Sequence, residues 1–111
     1  MADYVQRMVE GLARALARIA AGRKAGRISD APAELAELAV QVAGIDLKLV
    51  DVVGAHAIAA QLTDRRQLDA LGAICEERAE VEAAAGGAAG AARWRGHAAV
   101  FRERAGAGRA G

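Results

Sequence analysis

The sequence predicts an all-α fold, and three observations carry that prediction. Apolar residues recur at three- and four-residue spacing over most of the chain. Glycines and the start signal Ser29-Asp30-Ala31-Pro32 fall between the periodic runs. No run alternates apolar and polar residues over enough length for a strand.

The first helix is expected over residues 3–21. Val5, Met8, Val9, Leu12, Leu16 and Ile19 form one apolar stripe. Asp3 suits the N-cap, where its carboxylate can accept a free backbone N–H. Arg7, Arg14 and Arg18 fall on the other side. Gly22 is expected to stop the helix, and residues 22–29 read as a basic turn. Ser29 or Asp30 caps the next helix, and Pro32 is tolerated in its first turn because its missing N–H has no helical partner there. Leu35, Leu38, Ala39 and Val42 face inward, with Glu34, Glu37 and Gln41 outward. Gly44 ends this helix.

Residues 45–62 read two ways. Asp46 caps a short helix through Val53, Gly54 interrupts, and 55–62 form another. Alternatively the stretch is continuous, since one interior Gly costs only about 1 kcal/mol. Thr63-Asp64 opens a long helix through Ala85. Leu68, Leu71, Ile74 and Val81 form its stripe, Cys75 lies beside it, and Glu76, Glu77, Glu80 and Glu82 read as a solvated outer face. Gly86-Gly87 breaks the chain. The last helix, residues 90–105, lines up Ala91, Trp94, Ala98, Phe101 and Ala105. The expectation is a single domain over 1–105, built of four to five antiparallel helices, and a flexible Gly/Ala-rich tail over 106–111.

Composition points to a thin core. Among 111 residues there is one Trp, one Tyr and one Phe. Ala lets helices approach closely but buries little area, and burial stabilises by roughly 25 cal/mol per Å². A small Ala-rich protein gains from burying more surface in an oligomer. Charge is segregated although the net is only +1. Residues 1–29 carry six basic and two acidic side chains, residues 30–82 four and eleven, and residues 83–111 five and one. Basic ends and an acidic middle favour end-to-middle contacts, within a chain or between copies.

The single cysteine, Cys75, permits no intrachain disulfide and fits a reducing compartment. The first ten residues lack the charged start and apolar run of a signal peptide. The longest nearly uncharged stretch, 52–62, is shorter than the ~20 residues a membrane span needs. A soluble, cytoplasmic protein with no membrane partner is expected.

The segment DYVQRMVE (3–10) with the LARALARIA that follows, together with AGIDL (43–47), resembles a family of small uncharacterised bacterial helical proteins. The closing hairpin resembles that family's C-terminal tetratricopeptide-repeat-like unit. Ile74, Val81, Gly90 and Trp94 fall on the repeat's pattern, whereas Arg78 stands where a small residue is expected and Val81 where an aromatic is. Only one such unit is present. The resemblance implies a helical fold and no particular activity.

Residues that carry chemistry are sparse. His56, Cys75 and His97 have no partner among themselves at i+3 or i+4, so a metal or small-ligand site would need them to converge in space. Cys75 lies mid-helix beside Glu76 and Glu77, which oppose a thiolate. Gly22–Ala25–Gly26 with its basic residues follows no strand and lacks the spacing of a phosphate-binding loop. No catalytic residue, metal or cofactor is expected. Arg7, Arg14, Arg18, Arg23, Lys24 and Arg27 form one basic strip, and Arg93, Arg95, Arg102, Arg104 and Arg109 a second; on one face they would contact phosphates. Tyr4, Trp94 and Phe101 sit on apolar stripes and read as core, not as base-stacking platforms.

The function expected is therefore a non-enzymatic protein-interaction or self-assembly module. Val5, Met8, Leu12, Leu16, Ile19, Trp94 and Phe101 are its candidate interface, and a second copy or another protein its partner. Nucleic-acid binding through the basic strips is the first alternative. A ligand or metal site near His56, Cys75 and His97 is the second.

Overall fold

A computed structural model describes residues 3–107, and they fold into six α-helices with no strand among them. The helices are α1 (Tyr4–Lys24), α2 (Ala31–Ala43), α3 (Leu47–Val53), α4 (Ala55–Ala59), α5 (Arg65–Ala84) and α6 (Ala88–Ala107). Three starts follow the cap chemistry of the sequence. Asp3 accepts from the Gln6 N–H, Asp46 from the Lys48 N–H and Asp64 from the Arg66 N–H. Asp30 occupies the same place before α2 but makes no side-chain cap.

Several boundaries differ from expectation. Gly22 does not stop α1, because a single glycine inside a helix is a modest penalty. The helix runs on to Lys24 and closes at Gly26, whose φ of +85° lets the Arg27 N–H return to the Gly22 carbonyl at 2.8 Å. Of the two readings of residues 45–62, the interrupted one holds: α3 ends at Val53 and α4 starts at Ala55, split at Gly54 with φ +92° and ψ 148°, a conformation open essentially to glycine alone. That split raises the count to six, where four to five were expected. At the C-terminus α6 continues through Ala107, so Gly106 and Ala107 belong to the helix; residues 108–111 lie outside the described residues.

α5 is the centre of the fold. It buries Leu68, Leu71, Ile74, Cys75 and Val81, but also Ala70, Gly72 and Ala79 on its other sides. It packs on α6 most extensively, and on α1 and α2 as well. From α6 come Ala91, Trp94, Ala98, Phe101 and Ala105, all buried as their spacing predicts. Phe101, Leu35, Leu71, Ile74, Val50 and Cys75 are the largest fully buried side chains.

Helix directions follow from cross-helix pairs. Arg95 meets Glu80 and Arg102 meets Glu76, so α6 runs antiparallel to α5. Asp3 meets Arg66 at one end of α1 and Arg23 meets Glu77 towards the other, so α1 runs parallel to α5. The expectation of uniformly antiparallel helices is thus corrected: α2 turns the chain back between them. Among the described residues no helix is long and apolar enough to cross a membrane.

Candidate interaction surface

The α1 stripe is divided between the core and a groove. Leu12 and Ile19 are buried within the chain, joined by Ala15. Trp94 and Phe101 are buried too. These four expected interface residues are core residues of the monomer, because α1 packs against both α2 and α5 and α6 turns its aromatic face onto α5. Val5, Met8 and Leu16 are only half-buried. Tyr4, expected in the core, is 69% exposed in the first turn of α1.

Between α1 and α2 runs an open groove of about 420 Å³. Met8, Gly11, Leu12, Ala15, Leu38 and Val42 form its apolar floor. Arg18 edges it from α1, and Glu34, Glu37 and Gln41 from α2. Gly11 keeps the floor low: a Cβ built there meets nothing within 4 Å. A smaller groove of about 260 Å³ between α1 and α5 is lined mainly by Val9, Leu12, Ala13, Leu16, Ala70 and Ala73.

A second apolar feature is convex. On α3, Leu49, Val52 and Val53 are 48%, 77% and 51% exposed, at i, i+3 and i+4 and so on one face. The opposite side of α3 is anchored by buried Leu47 and Val50. The sequence reading assigned this segment only helix boundaries, and spacing alone does not tell which side of a seven-residue apolar helix is covered.

The charge segregation is answered in part inside the chain. Arg23 forks onto Glu77, with Nε to Oε2 at 2.7 Å and Nη2 to Oε1 at 3.2 Å, and reaches Glu80 at 3.8 Å. Arg78 pairs with Glu82, Arg95 with Glu80, and Arg102 with Glu76 and Asp69. The acidic face of α5 is therefore an ion-pair seam in which Glu77 and Glu82 are largely withdrawn from water while Glu76 and Glu80 stay exposed, as a solvated face would be. Of the second basic strip, Arg93, Arg95 and Arg102 are engaged, and Arg109 lies outside the described residues. Of the first, Arg23 and Arg18 are engaged, the latter with Glu34 at 3.4 Å. Arg7, Arg14, Lys24 and Arg27 form no ion pair among the described residues.

Asp51 was not singled out by the sequence, yet it ties α3 to α6. Arg93 donates to it from Nε at 2.9 Å, and His97 Nε2 lies at 2.8 Å. Burial works against its charge, but the hydrogen bonds from His97 and Arg93 prevail and hold the carboxyl below its ordinary value. The available signal was Arg93 and His97 at i, i+4, which point together at a common acceptor. Beside them the Trp94 ring meets the His97 ring edge-on at 5.2 Å and carries the Arg78 guanidinium at 5.4 Å.

His56 is exposed, Cys75 is fully buried, and His97 is taken up by Asp51. Burial, with Asp51 and Glu76 adding to it, pushes the Cys75 thiol up to about 12. Among the described residues no group of three or more His, Cys, Asp or Glu side chains is arranged to hold a metal ion.

No protein-family model, curated protein or solved structure matches the chain.

Proposed function

We propose that this chain is a non-enzymatic interaction module that associates with copies of itself. The supporting observation is the coexistence, on one small chain, of an open apolar groove between α1 and α2 and an uncovered apolar face on α3. An Ala-rich core that stabilises modestly gains from covering both. We read the α5–α6 pair, two antiparallel helices across Gly86-Gly87 with Gly90 close against Glu82, as tetratricopeptide-like, in keeping with the resemblance to the bacterial helical family. The buried, protonated Cys75 and the separate surroundings of His56 and His97 favour this over a ligand or metal site. Light scattering over a protein concentration series at low and high salt tests the reading. A mass that rises with concentration is expected; a monomer throughout rejects it.

Nucleic-acid binding is a second reading, favoured by Arg7, Arg14, Lys24 and Arg27 along α1 and its following turn, which form no ion pair among the described residues. It predicts binding that falls steeply with salt. No binding at low salt removes it.

A further inference from the structure

We propose that the exposed face of α3 docks into the α1–α2 groove of a second copy, so that the chain assembles head to tail. This rests on the self-association reading above and names the surfaces that perform it. Leu49, Val52 and Val53 form a knob. Met8, Leu12, Ala15, Leu38 and Val42 form a hollow that Gly11 leaves open. The two features do not meet within one chain: α3 packs on α4 and is held to α6 through Asp51.

Charge complementarity selects a second copy as the occupant. The groove is bipolar. Glu34 of the α2 lip is paired with Arg18 of the α1 lip at 3.4 Å, which leaves Glu37, bonded only to Gln41 among the described residues, as the acidic group of the α2 lip. On the α1 side Arg7 and Arg14, at i−4 and i+3 from Gly11 and so on the same side of the helix, form no ion pair among the described residues. The knob is bordered in the same way. Lys48 stands at i−4 from Val52 on one side, and Asp46, whose Oδ1 caps α3, at i−3 from Leu49 on the other. Seating the knob brings Lys48 to the acidic lip and Asp46 to the basic lip, and the reverse orientation sets like charges together.

Knob and groove are different surfaces, so the contact is heterologous and one chain can bind two neighbours. A knob of three side chains on a seven-residue helix is far smaller than the roughly 20–30 residues a side of a standard stable interface, so association should be transient and need high protein concentration to be seen.

Two variants and their mixture provide the test. Val52→Asp spoils the knob and leaves the groove. Gly11→Arg fills the groove and leaves the knob; the site has room, and Arg is a better helix former than Gly. By light scattering the wild type should grow in mass with concentration, and each variant alone should stay monomeric. Their equimolar mixture should give a dimer and nothing larger, since one intact knob meets one intact groove. A wild-type monomer overturns both this inference and the self-association reading. A wild type and both variants that associate alike overturn this inference alone, since another surface then carries assembly. Variants that are monomeric alone and also when mixed show that the contact is not knob into groove.

Discussion

Arg23 of α1 and Glu77 of α5 form a two-pronged ion pair across 54 residues of sequence, with both side chains largely withdrawn from water. The geometry matches the planar guanidinium to both carboxylate oxygens, which makes this the best-placed pair in the seam. It fixes the C-terminal end of α1 on α5.

Glu77→Gln should destabilise the fold by about 1–3 kcal/mol, because it takes the two-pronged carboxylate from a part-buried guanidinium and leaves only the looser contact to Glu80 at 3.8 Å. Glu34→Gln should cost less than about 1 kcal/mol, because the Arg18–Glu34 pair stands mostly in water. Chemical denaturation of both variants gives the comparison. Equal effects would show that burial of the Arg23 pair adds nothing.

Gly54→Ala should cost on the order of 1–3 kcal/mol, since φ +92° with ψ 148° strains any residue with a Cβ. Gly11→Ala is the internal control. It sits in a helix with open space beside it and should stabilise by about 0.5–1 kcal/mol. Thermal melts of the two single variants should therefore shift in opposite directions; the same direction for both contradicts the assignment of the α3–α4 break.

Phe101→Ala removes the largest fully buried side chain and should cost about 3–5 kcal/mol, a large part of the stability of a chain this size. Val52→Ala, at a mostly exposed position, should change monomer stability by less than about 0.5 kcal/mol. Urea titration of each separates core from surface, and a mild Phe101 effect would show that the last helix is not docked as described.

Stability should fall at acid pH. Asp51 and Asp64 are held below the ordinary value of 3.8: in Asp51 the hydrogen bonds from His97 and Arg93 overcome burial, and in Asp64 the hydrogen bond from Arg66 leads. A carboxyl lowered in the folded state adds stability above its unfolded pKa. That contribution is lost as pH falls from about 4 through the folded value. Unfolding followed by circular dichroism between pH 6 and 2 should show this limb, and Asp51→Asn should flatten it. An unchanged acid limb in that variant would remove the α3–α6 tie from the account.

Cys75 should resist alkylation in the native protein at neutral pH and react fully once unfolded, because burial removes access and keeps the thiol protonated. Mass spectrometry after a timed iodoacetamide pulse reads the difference. Rapid native labelling would mean that the α5–α6 core opens readily.

Local patterns were legible. The inward faces of α2, α5 and α6 follow from spacing, and Asp3, Asp46 and Asp64 cap where the sequence places them, because both depend on residues within one or two turns. The candidate site was less legible. Leu12, Ile19, Trp94 and Phe101 are apolar at the right spacing, but periodicity reports that a face is buried, not whether the cover is this chain or another. Glu77 reads as solvated and Arg23 as part of a basic strip, since neither has an obvious local partner.

The sequence by itself determined the helical class, the aspartate caps of α1 and α5, the apolar faces and the uneven charge along the chain, all products of short-range chemistry. Only the tertiary structure decided that α1 runs parallel to α5, that basic ends close on the acidic middle within one chain, and that α3 and the α1–α2 groove stay uncovered. These depend on which distant faces meet. Chain closure brings Arg23 to Glu77 and Asp51 to His97, and the space left beside Gly11 depends on where α2 comes to rest.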